Sequence, residues 1–192
     1  MRPLNIVGIG GTAQRSSSTE SALRLALNAA KAAGARTRLF GGTELAALPH
    51  YLTPTAADHP IGRALVEAVR GADAVLIASP GYHGSVSGIV KNALDYLEET
   101  ARDARPYLDG LPVGLIVTAY GWQATGSTLA TLRAIVHALR GWPAPLGVTV
   151  NSTQCKFADG GCSDPAIAAQ LALVGQQLFD FASLRRSAAT AA

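Results

Sequence analysis

The sequence predicts an α/β protein in which a parallel five-stranded sheet lies between two layers of helices. Two observations lead to this prediction. Short apolar runs alternate five times with amphipathic stretches along the 192 residues, and such an alternation gives a parallel sheet with right-handed crossovers. Hydrophobic residues make up 48% of the chain and charged residues 15%, which is the composition of a compact globular domain.

Five strands and five helices are predicted, in alternation. Near-continuous apolar runs, typical of strands buried on both faces, predict strands at 74–78 and 112–118. Further strands are predicted at 4–9 and 146–150, with a shorter one at 36–40. Apolar residues at helical spacing predict helices at 19–33, 61–70, 89–99, 127–139 and 165–184. Gly34 ends the first helix, and Asp164 or Ser163 caps the last one, which begins at Pro165.

The predicted sheet has the strand order 2-1-3-4-5, whose ligand crevice lies at the carboxyl ends of the first and third strands. We expect a single domain over residues 1–186 and a disordered tail over 187–192. Two loops rich in Pro, Gly and short polar residues, 41–60 and 100–111, are predicted to form the rim of the site.

The charge pattern argues against nucleic acid as a partner. The net charge is +3 and the pI about 9.1, yet the basic residues are dispersed and only Arg185-Arg186 form a cluster. A nucleic-acid groove needs basic residues gathered on one face. With no run of about 18 apolar residues and no signal peptide before the first strand, no membrane contact is predicted and the expected location is cytoplasmic.

The two cysteines, Cys155 and Cys162, lie in a loop with two glycines. A metal site needs more soft ligands than these. The sequence therefore predicts two free thiols in a reducing compartment, with a functional disulfide as the alternative.

The loop after the first strand admits two interpretations. Residues 8–13, Gly-Ile-Gly-Gly-Thr-Ala, satisfy the dinucleotide-binding pattern G-x-G-x-x-A. In Rossmann folds, however, the helix begins within the glycines and an acidic residue ends the second strand, whereas here polar residues 14–19 intervene and no acid follows the second strand until Glu44. The favoured interpretation is that Thr12 to Thr19 bind a terminal phosphate, because hydroxyl and free N–H groups at a helix N-terminus attract anions. A serine N-cap in a flexible loop is the simpler alternative.

The most informative segment is 79–95, Ser-Pro-Gly-Tyr-His-Gly-Ser-Val-Ser-Gly-Ile-Val-Lys-Asn-Ala-Leu-Asp, which joins the third strand to the following helix. It lies at the carboxyl end of the strand, where open α/β sheets bind their ligands. The segment resembles the second flavin-contacting loop of the NADPH-dependent FMN reductase family, in the pattern Ser-Pro-x-Tyr-His-Gly-Ser-x-Ser-Gly-x-x-Lys-Asn-Ala-Leu-Asp. The chain is similar to this family across essentially its whole length.

The resemblance implies a flavodoxin-like three-layer α/β/α sandwich that binds FMN between three loops. The expected contacts in the first loop are Thr12, Gln14, Arg15, Ser17, Ser18 and Thr19. Those in the second loop are Pro80, Gly81, Tyr82, His83, Gly84 and Ser85. Those in the third loop are Thr118, Ala119, Tyr120 and Gly121. Gln14 stands where the family usually has Arg, so either Arg15 supplies the charge or neutral donors alone hold the phosphate.

Several residues have more specific or open roles under this resemblance. Gly84 is expected to let backbone N–H groups approach the flavin ring, with Tyr82 against the ring and His83 in a structural or ring-contacting role. Tyr120 and Trp122 either line the pocket of a second substrate, cover the flavin of a neighbouring subunit, or serve packing alone. Three polar residues of the following helix either cap loops, face a partner subunit or lie in solvent: Lys91, Asn92 and Asp95.

The implied activity is NAD(P)H-dependent FMN reduction, in which hydride passes from NADPH or NADH to the flavin N5. Reduced flavin then leaves for a partner monooxygenase, or reduces an acceptor such as a quinone, an azo dye or an oxidised metal ion. No catalytic side chain and no metal site is predicted. The resemblance and the low share of charged residues favour a homodimer or homotetramer. Two alternatives are a flavodoxin-like electron carrier, disfavoured by the basic pI, and a non-catalytic flavin- or nucleotide-binding protein.

Overall fold

The computed structural model describes residues 2–14, 17–56 and 58–191. Its strands, numbered along the chain, are β1 (Asn5–Gly10), β2 (Arg36–Phe40), β3 (Ala74–Tyr82), β4 (Ser85–Val86), β5 (Pro112–Ala119), β6 (Trp142–Asn151), β7 (Phe157–Ala158) and β8 (Gly161–Cys162). Five of them are parallel and lie side by side in the order β2-β1-β3-β5-β6, which confirms the predicted order 2-1-3-4-5. Strand β4 pairs antiparallel with β3, and β7 pairs antiparallel with β8.

Helices cover both faces of the sheet. They are α1 (Ser18–Ala32), α2 (Gly42–Ala46), α3 (Pro60–Arg70), α4 (Gly88–Asp95), α5 (Trp122–Ala138) and α6 (Pro165–Ala191), with a 3₁₀ helix at Tyr96–Thr100 after α4. Helices α1 and α6 pack on one face, and α3, α4 and α5 pack on the other. The result is the three-layer arrangement that the β–α alternation predicts.

Alternate residues of the strands fill two separate cores. In β3, Val75 and Ile77 point to the face covered by α3, α4 and α5, whereas Leu76 points to the face covered by α1 and α6. Helices α1 and α6 come close together because Gly175 has no side chain: a Cβ there would lie 2.1 Å from the carbonyl oxygen of Ala26. Such dense packing holds the carboxyl ends of the strands in fixed positions.

Several elements begin or end well away from their predicted bounds. Strand β6 begins at Trp142 rather than at Leu146. Strand β3 continues past the predicted end at Ala78 to Tyr82, because its last residues pair with β4 in a hairpin. Helix α5 begins at Trp122 rather than at Ser127. The first turn of α5 buries Thr125 instead of an apolar residue, and hydropathy alone therefore gives no signal for it.

The two loops predicted as the rim of the site lie at opposite edges of the sheet. Segment 41–60 leaves the carboxyl end of β2 and contains α2, which was not predicted. Segment 100–111 precedes β5 and so lies at the amino edge, where Arg105 donates hydrogen bonds to the carbonyl oxygens of Val69 (2.7 Å) and Arg70 (2.8 Å) at the end of α3. The rim prediction for 100–111 is therefore wrong.

The last helix is longer than predicted. Helix α6 runs through Ala191 and thus into the segment 187–192 for which the sequence predicts disorder. Among the residues that the structure describes, no helix has both the length and the apolar character needed to cross a membrane.

Candidate functional site

Three chain segments meet beyond the carboxyl ends of β1, β3 and β5 and enclose a cleft of about 270 Å³. We refer to it as the carboxyl-edge cleft. Its lining residues are Thr12, Gln14, Ser17, Ser18, Thr19, Pro80, Gly81, Tyr82, Thr118, Ala119, Tyr120 and Ser152. This is the crevice in which parallel α/β sheets bind ligands.

The first wall of the cleft is the start of α1. Ser17 caps this helix, and its Oγ accepts a hydrogen bond from the backbone N–H of Glu20 (3.2 Å). Among the described residues, the first-turn N–H groups of Ser18 and Thr19 have no acceptor. Such open donors at the positive end of a helix dipole form an anion site.

A buried hydrogen bond joins the start of α1 to the end of β5. The hydroxyl groups of Thr19 and Thr118 lie 2.6 Å apart, and both side chains are almost fully buried. The bond fixes the beginning of α1 against the end of β5. The floor of the cleft is thus held by side chains that are themselves hydrogen-bonded.

Gly10, at the end of β1, and Gly42, at the start of α2, allow close packing of the backbone beside the cleft. A Cβ at Gly10 would lie 2.2 Å from the carbonyl oxygen of Ala78, and one at Gly42 would lie 1.8 Å from that of Thr12. The backbone N–H of Gly42 donates to Glu20 Oε2 (2.9 Å). Helix α1 begins at Ser18, after the glycines of the 8–13 motif and not within them, which does not support the dinucleotide-binding interpretation.

The second wall is the β3–β4 hairpin. Gly81 pairs with Val86 and Tyr82 with Ser85, and the two residues between them, His83 and Gly84, have φ angles of 51° and 80°. Two successive left-handed residues are typical of a type I′ turn, which matches the twist of the hairpin strands.

Serines of the 79–95 motif hold this hairpin in place. The buried Ser79 Oγ accepts a hydrogen bond from the backbone N–H of Ser87 (3.0 Å), and Ser87 Oγ in turn caps α4. The hairpin rests on α5, where Thr128 Oγ1 donates to the carbonyl oxygen of Ser85 (3.3 Å). A Cβ at Gly81 would lie 2.9 Å from Thr128 Oγ1, so Gly81 is needed for this contact. Much of the motif thus shapes the wall of the cleft.

The third wall carries exposed aromatic side chains. Tyr120 follows β5 and is 82% exposed, and Trp122 in the first turn of α5 is 53% exposed. Across the cleft, Tyr82 is 52% exposed. Aromatic rings left in solvent around a cleft offer a surface for a planar ligand.

The fourth contribution to the cleft, Ser152, was not predicted. It follows β6, and its backbone N–H donates to the carbonyl oxygen of Ala119 (2.8 Å). The predicted strand order could have indicated Ser152, because it places the polar residues after strand five beside the third loop.

The structure brings together most of the predicted site residues, but not all. Four exposed or half-exposed residues lie in the adjoining turns without lining the cleft: His83, Gly84, Ser85 and Gly121. Arg15 lies outside the described residues. On α4, Lys91 and Asp95 form an exposed ion pair, as in the alternative that places them in solvent.

Asn92 caps a loop, which is one of the predicted alternatives. Its Oδ1 accepts from the backbone N–H of Tyr51 (2.9 Å), and its Nδ2 donates to the carbonyl oxygen of Pro49 (2.9 Å). The Tyr51 hydroxyl donates to Glu99 (2.9 Å). Burial and this hydrogen bond raise the pKa of Tyr51 to about 12. Tyr51 therefore remains protonated at neutral pH and keeps its loop attached.

A second cleft, of about 600 Å³, lies at the opposite edge of the sheet. We refer to it as the amino-edge cleft. Its lining includes one carboxylate, Asp73, and five arginines from four separate stretches of the sequence: Arg2, Arg70, Arg105, Arg185 and Arg186. These five of the sixteen Lys and Arg residues are thus close together in space.

Asp73 is the centre of this cluster. It accepts hydrogen bonds from Arg2 (2.8 and 3.0 Å), from Arg186 (2.9 Å) and from the backbone N–H of Asn5 (2.8 Å). Burial raises the pKa of the Asp73 carboxyl, but these hydrogen bonds outweigh burial and hold the pKa below its ordinary value. Asp73 therefore fastens the first strand to the last helix.

Comparison with known proteins relates the chain to flavin-dependent reductases. The sequence model of the NADPH-dependent FMN reductase family matches residues 4–154. An FMN-dependent NADPH-azoreductase of Staphylococcus saprophyticus is 41% identical over 92 residues, which are 48% of this chain and 45% of that protein. The same enzyme of Staphylococcus haemolyticus is 36% identical over 95 residues, 50% of this chain and 47% of that protein. The match thus spans about half the length of these relatives.

Solved structures share the fold at low sequence identity. FerB, a flavoenzyme NAD(P)H:(acceptor) oxidoreductase from Paracoccus denitrificans, has a TM-score of 0.74 at 22% identity, covering 94% of this chain and 97% of its own. A flavodoxin from the domain Archaea has a TM-score of 0.65 at 7% identity, covering 94% of this chain and 99% of its own. These likenesses confirm the predicted flavodoxin-like fold.

The family match confirms the predicted resemblance, since it covers most of the chain and includes the three walls of the carboxyl-edge cleft. It also confirms the predicted class, an oxidoreductase, and the cofactor pair, FMN and NADPH, that the description of the family names. The chain belongs to the NADPH-dependent FMN reductase family.

Proposed function

We propose that this chain binds FMN in the carboxyl-edge cleft and reduces it with NADPH or NADH. The observation that supports this best is the convergence of three walls on one cleft. Open N–H donors at the start of α1 lie on one side, and the backbone of Pro80–Tyr82 and Thr118–Tyr120 lies on the other.

The residues at the start of α1 fit the phosphate of FMN. Thr12, Ser18 and Thr19 line the cleft. No acceptor among the described residues bonds to the N–H groups of Ser18 and Thr19 or to the hydroxyl groups of Thr12 and Ser18, and the helix dipole favours negative charge there. Gln14 lines the same cleft and adds a neutral donor. In this proposal neutral groups hold the phosphate, with Arg15 as a further contact.

The other two walls would hold the ring. Backbone groups of Pro80, Gly81 and Ala119 lie within the cleft, and Tyr82 and Tyr120 present exposed rings at its mouth. Four neighbouring residues remain part of the proposed cofactor site through the turns that they form: His83, Gly84, Ser85 and Gly121.

FMN held by these walls would supply the redox chemistry that links the nicotinamide to an acceptor. The chain binds and orients the reactants, and no side chain needs to act as a catalytic acid. Backbone N–H groups of the second and third walls would stabilise the negative charge that reduction places on the ring.

The acceptor is most simply an aromatic molecule. The relatives are named azoreductases, and the exposed rings of Tyr82, Tyr120 and Trp122 suit stacking with an azo dye or a quinone. Transfer of reduced flavin to a monooxygenase, and reduction of an oxidised metal ion, are the alternative fates.

We further propose a single FMN-binding domain over 1–186, which assembles as a homodimer or homotetramer in the cytoplasm. Exposed apolar side chains such as Leu52 (83% exposed) and Leu184 (68% exposed) offer surface for self-association. Light scattering coupled to gel filtration measures the state directly, and a monomer at micromolar concentration would contradict this part.

The test of the proposed function is FMN-dependent oxidation of NADPH by the purified protein. The protein is titrated with FMN, and consumption of NADPH and of NADH is then followed in air, with and without an azo dye. Saturable FMN binding with nicotinamide oxidation supports a reductase. FMN binding without oxidation indicates an electron carrier or a flavin-binding protein, and absence of both contradicts the proposal.

A further inference from the structure

A second hairpin follows the sheet and resembles the β3–β4 hairpin in its turn. Strands β7 and β8 are joined by Asp159 and Gly160, which have φ angles of 50° and 74°, again as in a type I′ turn. Lys156 and Ser163 extend the pairing: the Lys156 N–H donates to Ser163 Oγ (2.9 Å), and the Ser163 N–H donates to the Lys156 carbonyl oxygen (2.8 Å).

This hairpin brings the two cysteines of the chain together. The Sγ atoms of Cys155 and Cys162 lie 2.7 Å apart, which places the two sulfurs in direct contact. Cys155 is buried (3% exposed), whereas Cys162 is partly exposed. The sequence contains two cysteines in all, so each has the other as its only partner within the chain.

We propose that Cys155 and Cys162 form a reversible redox site, in which hydrogen peroxide converts the pair of thiols into an intramolecular disulfide. The sequence predicts two free thiols with a functional disulfide as the alternative. Both cysteines are free in the structure, but the hairpin holds their sulfurs against each other, which favours the alternative. The family match ends at residue 154, immediately before Cys155. The inference is therefore independent of the proposed FMN reduction.

The reaction begins at Cys162, the more accessible sulfur. Burial, together with its hydrogen bond to Cys162, raises the pKa of the Cys155 thiol to about 11, which keeps Cys155 protonated at neutral pH. The Cys162 thiolate attacks one oxygen of hydrogen peroxide: an S–O bond forms, the O–O bond breaks, and hydroxide leaves as water after protonation.

The second step closes the disulfide. The Cys155 sulfur attacks the Cys162 sulfur: an S–S bond forms, the S–O bond breaks, and hydroxide leaves with the Cys155 proton as water. In sum, two thiols lose two protons and two electrons, and one hydrogen peroxide becomes two waters. A dithiol reductant reverses the change by thiol–disulfide exchange.

The disulfide would fasten the segment that carries Ser152. The Cys155 N–H donates to the carbonyl oxygen of Asn151 (2.9 Å), the last residue of β6. Asn151 Oδ1 accepts from the N–H (3.0 Å) and the hydroxyl (2.6 Å) of Thr153. Residues 151–155 thus form a compact turn, and a bond between Cys155 and Cys162 would restrain it. Ser152, which lies within this turn, lines the carboxyl-edge cleft.

The test uses the full-length protein and hydrogen peroxide as the probe. Fully reduced protein is exposed to peroxide, the excess is destroyed with catalase, and thiols are titrated after unfolding while the intact mass is measured. We expect both thiols to disappear, the mass to fall by about 2 Da, and dithiothreitol to restore both. Retention of both thiols, or a gain of about 16 or 32 Da without the 2 Da loss, would overturn the proposal.

Single substitutions check the pairing. In Cys155→Ser, Cys162 has no partner, and peroxide should add oxygen to Cys162 instead of removing about 2 Da. A non-reducing gel separates an intramolecular bond from one between chains, and a dimer band that accounts for the lost thiols would also overturn the proposal. The wild-type cycle of oxidation and reduction remains decisive if the variant does not fold.

Amide hydrogen exchange tests the structural consequence. Oxidised wild-type protein should exchange the backbone amides of 152–162 more slowly than reduced protein, and peroxide should leave this exchange unchanged in Cys162→Ser. If the disulfide forms and amide exchange in 152–162 is not slowed, the bond does not restrain the turn that carries Ser152.

Discussion

The two clefts at opposite edges of the sheet differ in whether their hydrogen-bond donors are already bonded to acceptors within the protein. At the amino edge, four of five guanidinium groups already bond to protein acceptors: Arg2 and Arg186 to Asp73, Arg70 to Glu67 and Asp103, and Arg105 to carbonyl oxygens of α3. At the carboxyl edge, the N–H groups of Ser18 and Thr19 have no acceptor among the described residues. Charge alone would select the amino-edge cleft as the binding site. Unused donors select the carboxyl-edge cleft, because a donor bonded to the protein contributes to stability and an open donor is available to a ligand.

The largest effect that separates the two clefts is expected from Gly84→Val. Gly84 has a φ of 80°, which a β-branched residue adopts only with strain, so the β3–β4 turn must shift. Backbone strain of this kind costs about 1–3 kcal/mol, and FMN should bind about ten- to a hundredfold more weakly when the wall shifts to relieve it. FMN titration monitored by flavin fluorescence measures the loss, while circular dichroism should show an intact fold.

Gly160→Val is the matched control for this substitution. Gly160 occupies the same place in the turn of the β7–β8 hairpin, with a φ of 74°, and it lies outside the carboxyl-edge cleft. The same strain there should leave FMN affinity unchanged. Unchanged affinity in Gly84→Val itself would contradict the placement of the second wall.

Asp73→Ala should show the opposite behaviour, with lost stability and unchanged FMN affinity. The Asp73 side chain is 16% exposed, and its removal takes away an acceptor that Arg2, Arg186 and the Asn5 N–H share. We expect the free energy of unfolding to fall by about 2 kcal/mol, roughly a thirtyfold change in the folding equilibrium. Urea denaturation measures it. Asp58→Ala, at a side chain that is 96% exposed, should change the free energy by less than about 0.5 kcal/mol.

The same carboxylate predicts a pH dependence of stability. Because the folded-state pKa of Asp73 lies below its ordinary value of 3.8, its contribution is present above that value and is lost as the pH falls through the folded-state pKa. Asp73→Asn removes this titration. Between about pH 5 and pH 3, the variant should therefore lose less stability than the wild type. The free energy of unfolding of both proteins is measured by urea denaturation across this pH range. An equal loss in the two proteins would argue against this role of Asp73.

A smaller effect on binding is expected from Ser18→Ala. The substitution removes one hydroxyl from the phosphate wall and leaves the backbone N–H groups in place, so FMN should bind about tenfold more weakly, or about 1.4 kcal/mol. Ser187→Ala makes the same chemical change on α6, where the hydroxyl bonds within its own helix, and should not alter FMN binding. Equal FMN affinities of the two variants would place the phosphate elsewhere.

The smallest effect is expected at the mouth of the carboxyl-edge cleft. Tyr120→Ala removes a ring that is 82% exposed, and loss of stacking should raise the KM for an azo dye by about three- to fivefold. FMN affinity should change less. Trp142→Ala removes an aromatic side chain that is 63% exposed and begins β6 at the amino edge. An equal rise in KM in both variants would show that the effect is not local to the cleft.

Local patterns account for what the sequence could predict. The order of strands and helices follows from hydrophobic periodicity, and the 79–95 motif locates the second wall because its residues are contiguous. A serine N-cap before the first helix was one of the predicted alternatives, and Ser17 supplies it. These signals depend on neighbours within one element.

Contacts between distant residues account for what it could not predict. The extension of β3 to Tyr82 depends on pairing with β4. The first turn of α5 packs closely on Gly81, where an added Cβ would lie 3.1 Å from the carbonyl oxygen of Ala124. The arginine cluster around Asp73 joins positions that are up to 184 residues apart. No window of sequence contains both partners of such a contact, so periodicity has nothing to detect.

The most direct test of the central claim compares FMN with riboflavin in equilibrium titrations of the wild-type protein. The two ligands share the ring and differ in the phosphate, which the open donors at the start of α1 should bind. The account predicts that riboflavin binds at least about tenfold more weakly than FMN, and that the difference shrinks in Ser18→Ala. Equal affinities for FMN and riboflavin, or no binding of either, would contradict it.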